Sequence, residues 1–121
     1  MIPSPKAVTI LKTELKYNDD DLRRINKFVK YLLFFNKKYN LISKSSEIDI
    51  WTRHILDSAQ LVKFIDFDDN SSLSDLGSGG GFPGIILSIF NKNSKFHVKL
   101  YEKSPIKVKF LKNAVKLIGS N

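Results

Sequence analysis

Asp75-Leu76-Gly77-Ser78-Gly79-Gly80-Gly81-Phe82-Pro83-Gly84 is the stretch of this sequence whose residue types could hold a ligand. Glycines let a backbone take positive φ angles and approach a bound molecule closely. A turn of this kind directly after a parallel strand lies at the carboxyl edge of the sheet, and the helix that follows offers free N–H groups to anionic atoms. Glu102 stands about 20 residues past Gly81, where a carboxylate ending the next strand accepts from both hydroxyls of a ribose. Together these features predict an adenosine-containing ligand. Gly79 to Gly84 fits the dinucleotide pattern G-x-G-x-x-G, and no Gly-Lys-Ser/Thr follows, which argues against a nucleoside triphosphatase loop. Asp75 would repel a pyrophosphate and suits a ligand bearing an ammonium and a sulfonium. A nicotinamide dinucleotide is therefore the weaker alternative.

Two further groups could do chemistry. Arg53, His54 and Asp57 fall in one predicted helix, with Arg53 and Asp57 four apart and so on one face. Read alone, they are a surface ion pair and a histidine at the edge of a core. Lys103, Lys107, Lys109, Lys112 and Lys116 crowd the last helix, with Lys109, Lys112 and Lys116 sharing a face. Phosphate contact and a plain solvated face both fit that row.

The elements that must position these residues separate into two regions, 1–70 and 71–121. The first reads as helical. Asp19-Asp20-Asp21 place acid at a helix start, Leu22, Ile25, Phe28, Val29 and Leu32 recur at helical spacing, and Asn40 is a stop. A second helix is predicted from near Ser46, with Ile48, Trp51, Ile55, Ala59 and Val62 as its buried stripe. The polar run from Asp66 to Ser72 connects to the second region. There Leu73–Leu76 predicts a strand, Ile85–Phe90 a helix with Pro83 in its first turn, and Phe96–Tyr101 a second strand. Ser104-Pro105 starts a last helix that Gly119 ends. This βαβα order implies an α/β fold with parallel strands and a right-handed crossover. Two strands make a poor parallel sheet, with both faces needing cover and every edge unpaired. The series therefore reads as the front part of a longer α/β domain, truncated where a third strand is due.

Composition narrows the classes. The 121 residues, 42% hydrophobic with nine Phe, four Tyr and one Trp, suffice for one small core. The absence of Cys excludes a disulfide framework, a thiolate zinc site and a cysteine nucleophile, and two distant His argue against a metal site. No apolar run approaches the roughly 20 residues of a membrane span. The start, Met1 to Lys6, lacks the apolar stretch of a secretory leader. A cytoplasmic protein without membrane or metal partners is the expectation. Its formal charge of +8 is uneven: residues 1–40 hold nine Lys/Arg against four acids, 41–75 three against seven, and 76–121 eight against one. Such a surplus permits polyanion partners through phosphate contacts.

The acid and alternate glycines of Asp75-Leu76-Gly77-Ser78-Gly79-Gly80-Gly81 resemble motif I of S-adenosylmethionine-dependent methyltransferases. Tyr39-Asn40-Leu41-Ile42-Ser43, then Arg53-His54-Ile55-Leu56-Asp57-Ser58, then the glycine stretch through Gly84, then Lys107-Val108-Lys109-Phe110-Leu111 follow one another in order. In that order they resemble the ribosomal RNA small subunit methyltransferase G family, also called glucose-inhibited division protein B. The resemblance implies a Rossmann-like class I methyltransferase fold with an N-terminal helical extension. It implies S-adenosyl-L-methionine as cofactor and methyl transfer to N7 of a guanosine in small-subunit (16S) ribosomal RNA. It places Gly77, Gly79 and Gly81 on the methionine side with Asp75, Phe82 beside the cofactor, and Glu102 on the ribose. Arg53, His54, Lys109 and Lys112 become candidates for the cofactor mouth or the RNA. The family's later strands also supply cofactor contacts, beyond the stretch present in this sequence. The alternative is a shortened, non-catalytic relative that keeps a basic RNA-facing surface. Guanine N7 is already a nucleophile and the leaving thioether is neutral, so no catalytic acid or base is expected.

Overall fold

The computed structural model describes residues 3–119. Met1 and Ile2 of the chain start, and the point at residue 121 where a third strand is due, lie outside them. Helix α1 (Pro5–Thr13) is capped by Ser4, whose hydroxyl accepts from the Ala7 N–H. Helix α2 (Asp19–Tyr39) opens with a reciprocal capping box between Asn18 and Asp21 and ends at Asn40 in the left-handed conformation. Its first-turn acids complement the helix dipole as the sequence implied, but the cap itself is Asn18.

Helix α3 (Lys44–Ile48) begins at the Ser43 cap, two residues before the expected start. It does not carry the predicted stripe unbroken. Asp49 leaves the helical region at φ −130°, ψ 47°, and the chain restarts as a π turn over Trp51–Leu56, a short α4 (Asp57–Ala59) and a 3₁₀ turn over Gln60–Phe64. This break moves Ile48 out to 81% exposure, while Ile50 takes the inward place. Trp51, Ile55 and Ala59 are buried as expected.

Strands β1 (Ser72–Leu76) and β2 (His97–Tyr101) pair in parallel, with Leu73 opposite Val98 and Asp75 opposite Leu100. Helix α5 (Gly84–Phe90) makes the crossover, and Pro83 stands at its N-cap, one place ahead of the predicted first turn. Helix α6 (Pro105–Ile118) has the expected Ser104 cap, Pro105 in its first turn and Gly119 at φ +70°. Among the described residues, only one face of the sheet is covered. Leu73, Asp75, Val98 and Leu100 point toward the helices, while Ser72, Ser74, Leu76, His97, Lys99 and Tyr101 are exposed. Leu76 is 77% exposed and Phe64 82%. This mixed α/β chain has the architecture of the first βαβα part of a Rossmann-like unit behind N-terminal helices.

A single hydrophobic cluster runs from Ala7 of α1 through α2, the π turn, α5 and α6 to Ile118. Phe110 lies at its centre on the α2 side: Tyr31 stacks parallel to it at 5.2 Å, Phe35 packs at 5.1 Å and Phe28 at 6.1 Å. The Tyr17 hydroxyl, buried after α1, donates to the Ile86 carbonyl of α5 at 3.0 Å. Burial pushes its ionisation far above the ordinary tyrosine range.

Candidate cofactor site

The glycine turn begins where β1 ends. Gly77 and Ser78 donate their N–H groups to the Tyr101 carbonyl at 2.8 and 3.0 Å, which pins the turn to the end of β2. Ser78 is buried, and its hydroxyl donates to the Asp75 carbonyl at 3.0 Å. Gly77, Gly79 and Gly81 take φ values of +73°, +52° and +95°, a region that side chains with a Cβ rarely occupy. At Gly81 there is a second constraint. A Cβ there would lie 3.0 Å from the Phe28 ring and 3.1 Å from Ile85, so α2 and α5 both close on the turn. Above Gly77, by contrast, a Cβ would meet nothing within 4 Å, and above Gly79 only the Gly77 carbonyl at 3.8 Å. The turn is tight underneath and open on top.

Glu102 closes it from the other strand. One carboxylate oxygen accepts from the Gly79 N–H at 2.9 Å, and the other accepts from the N–H groups of Lys103 and Ser104, both at 2.9 Å. The amides of Ser104 and Gly79 hold its ionisation below the usual carboxylate range. About four lone-pair positions are present on a carboxylate, so three bonds leave one acceptor position for a hydroxyl. Because the folded-state value is lowered, the stabilisation from this clip is complete above the ordinary glutamate value of 4.5 and is lost as the pH falls through the lower folded value. In an acid titration followed by NMR, the Gly79 and Ser104 amide signals should hold their positions at pH 4.5 and move only below it. In Glu102→Gln the same signals should show no such step. A midpoint at or above 4.5 would mean that the carboxylate does not hold the turn.

Asp75 lies below the turn. Its Oδ2 accepts from the Gly84 N–H at 3.1 Å, and burial pushes its carboxyl above the usual range, opposed by that hydrogen bond. The first amide of α5 is therefore taken by the protein's own carboxylate. This corrects the expectation of free N–H groups at that helix start.

Phe82 follows the turn and packs edge-on against Phe28 at 5.7 Å. His54 stacks on its other side at 4.7 Å with 19° between the rings. Nε2 of His54 is buried without a hydrogen-bond partner. Burial pushes the imidazole's ionisation down, Asp57 opposes this and Arg53 adds to it, so the neutral ring is favoured. Arg53 and Asp57, read as neighbours on one face, are both exposed and lie beyond ion-pair distance of each other. Both charges are open to solvent, and an exposed pair would gain little from meeting.

Gly77, Gly79, Gly81, Asp75, Phe82 and Glu102 thus converge, and His54 joins them through Phe82. Lys109 and Lys112 stand apart on α6. Lys112, with Lys116, lines a cleft between β2 and α6 that reaches Glu102. The sequence-based site omitted Gly84. A Cβ on it would collide with Leu100 of β2 and come within 2.8 Å of the Asp75 carboxylate. The third glycine of G-x-G-x-x-G serves close packing of helix on strand, so the signal was present.

The family model described as rRNA small subunit methyltransferase G (GidB) matches residues 21–121, most of the chain. The chain belongs to that family. Similar proteins named ribosomal RNA small subunit methyltransferase G include one from Pelagibacter ubique, 48% identical over 89 residues, which cover 70% of this chain and 41% of that protein. The Bartonella henselae protein is 39% identical over 111 residues, 91% of this chain and 51% of its own length. The Bradyrhizobium sp. protein is 35% identical over 120 residues, 98% and 52% respectively. The chain thus spans about half the length of the curated relatives it matches. Among the described residues of this family member, no helix is long and apolar enough to cross a membrane, and no group of three metal-ligating side chains gathers.

Proposed function

We propose that this chain supplies the cofactor-binding half of a cytoplasmic S-adenosylmethionine-dependent methyltransferase acting on guanosine N7 in small-subunit ribosomal RNA. The observation that carries the proposal is the glycine turn, open on top and clipped by Glu102 across the ends of two parallel strands. The fit to the cofactor rests on that clip: an ionised carboxylate with an acceptor position left, next to a turn with room above Gly77 and Gly79.

The backbone of Gly77, Gly79 and Gly81 lines the methionine side, and the Asp75 carboxylate, beneath the turn on the Gly84 N–H, supports that backbone from below. Phe82, held by Phe28 and His54, packs beside the cofactor and excludes water from it. Glu102 orients the ribose. S-adenosylmethionine supplies an electrophilic methyl group when bound. N7 of guanine brings its own lone pair, so no side chain has to move a proton, and the chain contributes alignment and a dry wall. Arg53, exposed beside His54, would meet the RNA at the mouth.

Calorimetric titration with S-adenosylmethionine tests the proposal, with Gly79→Val as control. A valine at φ +52° is strained and fills the space above the turn. Saturable binding is expected in the parent chain and none in the variant, with the circular dichroism spectra of both unchanged. A second reading, a relative that binds RNA without the cofactor, is favoured by the basic row of Lys109, Lys112 and Lys116 on α6. No binding by a folded parent chain would select it.

A further inference from the structure

We propose that the solvent face of α2 is an RNA-docking surface, in which its row of cations takes phosphates and Phe34 stacks an unpaired base. At 100° per residue, Arg23, Lys27, Lys30, Phe34, Lys37 and Lys38 fall within an arc of about 100° on α2. From Leu22 to Tyr39 this helix has no acid. The acids of its first turn on that side, Asp19 and Asp20, are taken by Lys12 and Arg23.

Helix α6 adds Lys109, Lys112 and Lys116 and has no acid at all. The two helices are antiparallel neighbours. Arg24 of α2 donates to the Ile118 carbonyl at one end, and Tyr31 and Phe35 pack on Phe110 toward the other. Each turns its apolar residues into the same core, and the lysines of each lie on the solvent side of their own helix. Among the described residues, Arg23 is the one cation of these eight in an ion pair.

A solvated basic helix has no use for a large ring at the centre of its charged row. Phe34 is 71% exposed there, one helical turn from Lys30, Lys37 and Lys38, while its neighbour Phe35 is packed inside. Cations following a backbone beside an aromatic platform are what a single-stranded nucleic acid fits. An anionic membrane fits less well. A surface-lying amphipathic helix needs its apolar face free, and that face of α2 is in the core.

RNA is taken as the partner class from the proposed function, but nothing here requires the cofactor. The test measures fluorescence anisotropy of the 121-residue chain with a labelled single-stranded RNA of about 12 nucleotides, and with its duplex. Phe34→Ala should weaken single-strand binding about 5- to 100-fold and leave duplex binding unchanged, with Phe34→Trp restoring it. The pair Lys30→Gln, Lys37→Gln should lower the slope of log affinity against log salt by about 1.4. Phe34 is exposed, so circular dichroism should show all variants folded.

Any of three results overturns the inference: no RNA binding, Phe34→Ala equal to the parent, or binding to phosphatidylserine vesicles but not to RNA. S-adenosylmethionine calorimetry on the same proteins separates the two proposals. Loss of cofactor binding alone leaves the docking surface standing, and loss of RNA binding alone leaves the cofactor site standing.

Discussion

Phe110→Ala should lower the stability of the fold by about 3–5 kcal/mol, the range for emptying the place of a fully buried phenylalanine. Phe110 is 0% exposed and is the ring on which Tyr31, Phe35 and Phe28 all pack. Its side chain is also what α6 offers to α2, so the cavity would open at the contact between two helices. A domain of this size has about 5–15 kcal/mol in all, and the loss should show as a large fall in the urea midpoint at unchanged slope. Ile106→Ala on the same helix, at a position nearly half exposed, should shift stability by no more than about 0.5 kcal/mol. A Phe110→Ala effect as small as that would mean that Tyr31 and Phe35 collapse into the gap and that α6 is held elsewhere.

Gly84→Ala should cost about 3 kcal/mol, for a different reason. The added methyl would enter the space of Leu100 on β2 and press on the Asp75 carboxylate. Either α5 lifts from the sheet or Leu100 leaves its place, and the half-buried Asp75 risks losing the Gly84 N–H that satisfies it. Unfolding by urea measures the cost, and Leu100→Ala in the same chain checks the cause. If crowding is the reason, Gly84→Ala should cost much less in the Leu100→Ala background than in the parent. Equal costs in both backgrounds would assign the effect to the backbone instead. Gly119 is the control: a Cβ there meets nothing within 4 Å, so Gly119→Ala pays only for its left-handed φ, about 1 kcal/mol.

These two sites differ in how far the sequence revealed them. Helices α2 and α6 were legible because their ends are written in side chains: first-turn acids and Asn40 for one, Ser104, Pro105 and Gly119 for the other. Helix α1 carries the same Ser-Pro start at Ser4 and Pro5. The stripe through Ile48 failed because the chain breaks at Asp49, and a 3.6-residue period says nothing of a restart or of a π turn. The glycine turn was legible, since positive φ at Gly77, Gly79 and Gly81 is what alternate glycines permit. The partner of each surrounding side chain was not. Periodicity does not disclose that His54 lies on Phe82, that Asp75 serves Gly84, or that Glu102 is tied to Gly79 across the sheet. Such contacts join residues far apart in sequence, and only the folded chain brings them together.

The single cluster from Ala7 to Ile118 has a consequence for motion. The helices ahead of the sheet are not an arm that can swing free. Separating them would bare Phe28 and Gly81 to water and break the bond from Tyr17 to Ile86. Their buried amides and those of α5 should therefore exchange together, in the global opening. The floor of the glycine turn then stays rigid for as long as the fold does.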